Sequence, residues 1–177
     1  RAGKGGNGLV SFRRAKFVPK GGPDGGDGGD GGSVILEVDP HTNDLRSFFY
    51  DPKLIATDGV GGQSAKKHGK NGKSVIGKVP PGTIIYRSNA SSMAEATWLE
   101  REGEGIELEK IADLTEIGTR FTLCQGGLGG KGNWHFRSAT NQAPTEAEMG
   151  TEGEEGVFFM ELRRIADAGL VEIGRAS

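Results

Sequence analysis

The chain is poor in the residues that carry most redox, metal and membrane chemistry. Its 177 residues include one cysteine, Cys124, three histidines, two tryptophans and two tyrosines. A lone cysteine excludes an internal disulfide, and the histidines His41, His68 and His135 stand singly, so no metal site is expected. No apolar run reaches the roughly twenty residues that span a bilayer, and no signal-peptide pattern appears, so no membrane partner is expected and the chain reads as soluble and intracellular. Hydrophobic residues make up only 34%, whereas glycine numbers 32. That balance predicts a core in one part of a single domain and glycine-rich backbone packing in another.

The glycine is patterned. Residues 19–32 read PKGGPDGGDGGDGG, with Asp-Gly-Gly repeated three times from Asp24. Three residues per turn is the period of a polyproline II helix, which has no internal hydrogen bonds, and two glycines per turn leave two faces as bare backbone on which extended segments can pack. Asp24, Asp27 and Asp30 recur on the third face; capping of glycine amides suits them better than calcium, whose loops offer ligands at alternate positions. The repeat ends at Gly32 without proline at its variable positions, which excludes a collagen-like fibre.

The net charge of −2 conceals segregation. Residues 1–20 hold six basic residues and no acid, residues 61–87 six more with none, and residues 119–144 carry Arg120, Lys131 and Arg137, again without acid. The blocks 21–60, 88–118 and 145–177 carry eight acidic residues each. The acid-free blocks largely overlap the glycine-rich ones. Brought together they would form one cationic end suited to a polyanion, with an acidic remainder that discourages indiscriminate binding.

Strands are expected at 33–38, 45–50, 74–79, 83–86, 106–114, 120–125 and 157–165, with the turn Pro80-Pro81-Gly82 making the third and fourth hairpin-like. Ser92 with Glu95 three residues on is a capping-box signal that predicts a short helix over 93–101 in an insertion spanning 87–109. Many short strands with turn signals indicate an antiparallel all-β core.

Five motifs now line up: residues 7–32, KVPPGT at 78–83, GGLGGKGN at 126–133, ATNQAP at 139–144 and LRRIADAGLV at 162–171. Together they closely resemble the N-terminal domain of the Obg family of ribosome-associated GTPases, over residues 1–171, with 172–177 a tail. The resemblance implies a mainly β fold with an antiparallel eight-stranded sandwich or barrel-like core. It adds a bundle of left-handed polyproline-II-type helices drawn from about 1–32, 59–73 and 125–144. The structural glycines of that bundle are Gly21, Gly22, Gly25, Gly26, Gly28, Gly29, Gly31 and Gly32, then Gly126, Gly127, Gly129, Gly130 and Gly132. The resemblance also implies a strand upstream of Arg1, whose lack leaves an edge or core gap. Three tip loops are expected to enter the large ribosomal subunit near the peptidyl transferase centre and contact rRNA in subunit biogenesis, with ribosomal proteins or stress regulators as further partners. A monomer in the bacterial cytoplasm, or in an organelle matrix, fits this picture.

Carried over by motif, the loops supply Arg13, Arg14, Lys16 and Lys20, then Lys66, Lys67, His68, Lys70 and Lys73, then Lys131, Asn133 and Arg137, as phosphate contacts, with Trp134 stacking on a base. No GxxxxGK[ST] occurs: the nearest miss, Gly72-Lys73-Ser74, has Lys67 where the first glycine belongs. No catalytic residue and no cofactor are therefore expected here; GTP and Mg belong to the family's GTPase domain. Two other readings remain open: a protein-docking domain of a GTPase or stress-response regulator that needs no RNA, and a phosphate loop at 126–133 with Lys131 as its charge.

Overall fold

In the computed structural model, which describes residues 1–14, 16, 21–92, 94–96 and 106–163, the architecture is mainly β. Six strands occur among the described residues: β1 (Val34–Val38), β2 (Val75–Val79), β3 (Thr83–Ser88), β4 (Leu108–Leu114), β5 (Arg120–Cys124) and β6 (Phe158–Leu162). They make two sheets of three, ordered β2-β1-β5 and β4-β3-β6. The eight strands implied by the resemblance are not reached among the described residues. Nor is the pairing wholly antiparallel, because β1 and β2 run parallel, in register from Val34 opposite Val75 to Val38 opposite Val79.

Two local expectations are corrected. Residues 45–50 do not form a strand; Arg46–Tyr50 is a five-residue helix, α1. Aromatic content argued for a strand, but the apolar spacing is helical: Leu45 and Phe48, three apart, pack on the core while Phe49 and Tyr50 are 82% and 80% exposed. The segments either side of Pro80-Pro81-Gly82 are not a hairpin either. Gly82 takes φ +86°, and β3 leaves for the second sheet, pairing with β4 and β6. The capping signal is realised: the Glu95 amide donates to Ser92 Oγ at 3.1 Å, and the Glu95 carboxylate accepts from the Ser91 amide at 2.8 Å. Residues 94–96 are helical; the rest of the expected helix, positions 164–165 of the last expected strand, and the tail lie outside the described residues.

The glycine-rich chain forms a bundle of extended segments bonded to one another every third residue. The amides of Gly3, Gly6 and Leu9 donate to the carbonyls of Gly32, Gly29 and Gly26. Those of Gly26, Gly29 and Gly32 in turn donate to Gln63, Val60 and Thr57. Residues 66–73 run parallel to 24–30, with Lys66, Gly69 and Gly72 donating to Asp24, Asp27 and Asp30. Residues 125–133 show why the period must be three. Gly127, Gly130 and Asn133 donate to the carbonyls of Gly3, Gly6 and Leu9. Gly126, Gly129 and Gly132 donate to the side chains of Ser33, Asp30 and Asp27, and Gln125, Leu128 and Lys131 to those of Glu154, Thr151 and Glu148. Every amide of this segment is satisfied from one of three neighbours, so none is needed for internal bonds. Asp27 and Asp30 of the repeat cap the glycine amides of Gly132 and Gly129, as expected, whereas Asp24 accepts from the Ala65 amide. Residues 148–154 join the bundle beyond the expected segments, and their signal in the sequence is Gly150 and Gly153 at the same spacing.

The first sheet is a continuation of this bundle. Residues 24–32 and 66–73, parallel in the bundle, leave it side by side into β1 and β2, with Val75 N–H donating to the Ser33 carbonyl at 3.0 Å. β5 enters the bundle in the opposite sense and pairs antiparallel to β1. Between the sheets lies the core: Leu36, Val38 and Val79 of the first meet Ile85 and Leu114 of the second, all buried. An apolar groove of about 580 Å³, lined by Phe48, Leu54, Leu123, Phe158 and Met160, opens beside Arg1. None of the helices among the described residues is long and apolar enough to cross a membrane.

Candidate nucleic-acid interface

The end of the bundle away from the sheets is closed by three connections that touch one another. In the first, Phe12 bridges to Pro23 and the Arg13 amide donates to the Gly22 carbonyl at 3.0 Å. The second is the turn 63–67, whose Lys66 amide donates to the Asp24 carbonyl at 2.7 Å. The third begins at the 3₁₀ turn Asn133–Phe136, which bonds to the first through the Ser11 carbonyl and meets the second where Lys66 approaches Trp134. Arg13 and Arg14 are exposed on the first, and Lys66, Lys67 and His68 on the second. Lys131 and Arg137 stand on either side of the third connection's start. Lys16 is exposed; Lys20 lies outside the described residues.

Three expected contacts change place. Lys73 is not at the tip: its carbonyl accepts from Thr57 where the bundle meets β2, roughly 20 Å along extended chain from Lys67. Lys70, opposite Val60, sits midway. Asn133 has no exposed surface. Its Oδ1 accepts from the Gly25 amide at 2.9 Å and its Nδ2 donates to the carbonyls of Ser11 and Pro144, both at 3.0 Å. With its hydrogen-bonding capacity spent inside the tip, Asn133 is a pin between the first and third connections, not a phosphate contact. Among the glycines assigned to the bundle, Gly22 also differs, since a Cβ there would meet open space.

The phosphate-loop reading of 126–133 fails on the same accounting. Its amides are already paired, so none is left to cradle a phosphate.

Asp27 is a hub that sequence spacing did not reveal. Its Oδ1 accepts the Gly132 amide at 2.7 Å, and its Oδ2 lies 2.7 Å from His135 Nε2 and 3.7 Å from His68 Nδ1. Burial pushes this carboxyl up, but the Gly132 amide, the bond to His135 and the charges of His135 and His68 outweigh it and hold the group below its ordinary value. Two histidines 67 positions apart in sequence meet only because the bundle sets residues 66–73 and 125–133 on either side of 24–30.

The turn 63–67 is strained. Ala65 and Lys66 have φ of +59° and +55°, the only non-glycine residues with positive φ among those described. Two consecutive left-handed residues make a turn that normally takes Asn-Gly, and each L side chain there costs about 1–2 kcal/mol. The Asp24 carboxylate, which also accepts the Ser11 hydroxyl, holds the turn by accepting the Ala65 amide at 3.2 Å. The result is that Lys66 Nζ stands 5.0 Å from the centroid of the Trp134 ring. On the same indole the His135 imidazole packs at 3.9 Å between centroids, tilted 36°.

These groups line a cleft of about 570 Å³ at the tip, walled by Pro23, Lys66, Trp134, His135, Arg137 and Gln142 among others, with no carboxylate in its lining.

Comparison with known proteins agrees with this architecture. A family model described as GTP1/OBG matches residues 1–164. The chain is similar to the "GTPase Obg" of Methylacidiphilum infernorum, 48% identical over 97% of this chain and 47% of that protein. It is also similar to those of Chlorobium chlorochromatii, 50% identical over 97% of this chain and 46% of the relative, and Geobacillus kaustophilus, 45% identical over 97% and 36%. The chain thus spans about half the length, or less, of these relatives. With a family model matching nearly its whole length, the chain belongs to the GTP1/OBG family.

Proposed function

We propose that this domain is the ribosome-binding part of an Obg-type GTPase, and that its basic tip contacts rRNA of the large subunit during subunit biogenesis in the cytoplasm. The observation that carries the reading is the convergence of Arg13, Arg14, Lys66, Lys67, Lys131 and Arg137 from three separate connections onto one end of a bundle whose opposite end runs into the sheets. A bundle pinned by a hydrogen bond at every third residue holds those charges on a stiff stalk, which suits insertion between RNA walls. Left-handed polyproline-II geometry for the segments is supported by their period and by the absence of positive φ at every described bundle glycine. GTP and Mg bind elsewhere in this reading, in a GTPase domain inferred from the relatives' name, GTPase Obg, which uses the stalk to couple nucleotide state to docking.

The test is cosedimentation of the 177-residue chain with purified large ribosomal subunits across a salt series, beside a variant with Lys66, Lys67, Lys70, Lys131 and Arg137 changed to Glu. Pelleting should weaken steeply with salt and be lost in the variant. Binding that ignores both salt and charge reversal would overturn the reading.

A further inference from the structure

We infer that the cleft at the tip is a receptor for one unstacked nucleotide, its base against the Trp134–His135 pair and its phosphate between Lys66 and Arg137; this deepens the RNA-binding reading and rests on it.

Four observations converge. The cleft, at about 570 Å³, is in the size range of small-ligand pockets. Its lining combines an indole and an imidazole already in contact with two cations, neither paired to a carboxylate among the described residues, and the amide of Gln142 for a base edge. The nearby carboxylates are withdrawn from it, Asp27 by Gly132 and His135 and Asp24 by Ser11 and Ala65. The Trp134 Nε1–H is the one buried side-chain polar atom without a partner among the described residues, so no hydrogen bond fixes the ring, which packs with His135 and Lys66. Finally, the turn that delivers Lys66 does so at a backbone cost that glycine would avoid. Strain of this kind persists where geometry serves something other than stability.

A duplex cannot use such a site, because its bases are stacked and paired. Single-stranded RNA can, and so can a free nucleotide, which shares the same recognised unit.

The experiment uses a Trp98→Phe background, which leaves Trp134 as the only tryptophan and its fluorescence as the readout. It is titrated with a single-stranded RNA hexamer, with a duplex of the same length and with AMP. The expected result is quenching by the hexamer at a midpoint at least tenfold lower than for the duplex. Lys66→Gly should lose that preference about tenfold while unfolding at the same temperature or higher, since it relieves the strained turn. Gln142→Ala should weaken the hexamer and AMP but leave the duplex unchanged. Quenching by AMP but not by the hexamer would keep the receptor and make its source a free nucleotide. Equal, salt-sensitive binding of hexamer and duplex without quenching would overturn the receptor yet leave RNA binding intact. Absence of binding by all three at low salt would overturn both.

Discussion

Replacing a glycine of the bundle by alanine should be ruinous or harmless according to position alone, and Gly28 and Gly61 make the contrast sharpest. Neither has a positive φ, so backbone strain does not enter. A Cβ built at Gly28 would stand 1.9 Å from the Gly6 carbonyl oxygen and 2.3 Å from its carbon, whereas at Gly61 the nearest atom is the Asn7 oxygen at 3.5 Å, ordinary contact. The Gly6 carbonyl accepts from Gly130 at 2.9 Å, and the Gly28 and Gly6 amides each make a 2.8 Å bond across the same three segments. Relieving the clash means separating segments by more than an ångström, which disrupts these bonds at about 1 kcal/mol each and adds roughly 1–3 kcal/mol of overpacking. Gly28→Ala should therefore cost roughly 4–6 kcal/mol, on the order of 10–20 °C in Tm. Gly61→Ala should be neutral, or stabilise by about 0.4–1 kcal/mol through the unfolded chain. Urea unfolding of the two variants measures this directly. If Gly28→Ala is no worse than Gly61→Ala, then the bundle is not held by backbone contact at glycine and the account of the period fails.

Asn133→Ala should destabilise by roughly 2–4 kcal/mol, because it orphans the Gly25 amide and two carbonyls inside the tip; a value near zero would return Asn133 to the surface contacts. Asp27 is a carboxyl held below its ordinary value, so its stabilisation is complete above the unfolded value of about 4 and is lost as pH falls through the lower folded value. Asp27→Asn should cost about 1–2 kcal/mol near neutral pH and nothing in strong acid, seen as converging acid arms in denaturation against pH. Parallel arms would exclude Asp27 as the clamp. Cys124 is 2% exposed and burial pushes its thiol up, so alkylation should track opening of the sheet–bundle junction and quicken in urea well before it does in buffer. Leu36→Ala, at the centre of the core between the sheets, should cost roughly 2–5 kcal/mol and lower the urea midpoint without changing the order of binding among RNAs.

Much of this protein follows from local pattern. The period of three in 24–32 dictated extended segments bonded outward, because an extended chain makes no internal bonds with its own amides and glycine removes the side chains that would keep neighbours apart. The aspartates of the repeat were legible as amide caps for the same reason. The strands at 33–38, 74–79, 106–114 and 120–125 were legible from β-branched runs between turns, and the segregated charge pointed to one basic end. Other features required the tertiary structure. Residues 45–50 became helical because only Leu45 and Phe48 find the core. The chain crosses between sheets at Gly82 because β2 already belongs to a sheet that extends the bundle. Lys73 fell at the wrong end of its segment, and Asn133 turned inward, because an extended segment advances about 3 Å per residue and turns successive side chains to different neighbours. The meeting of Asp27 with His68 and His135, and of Lys66 with Trp134, depends on which segments lie side by side. Sequence period fixes how each segment bonds, but not which neighbour it bonds to; that choice belongs to the packed bundle, and the site is made at its seams.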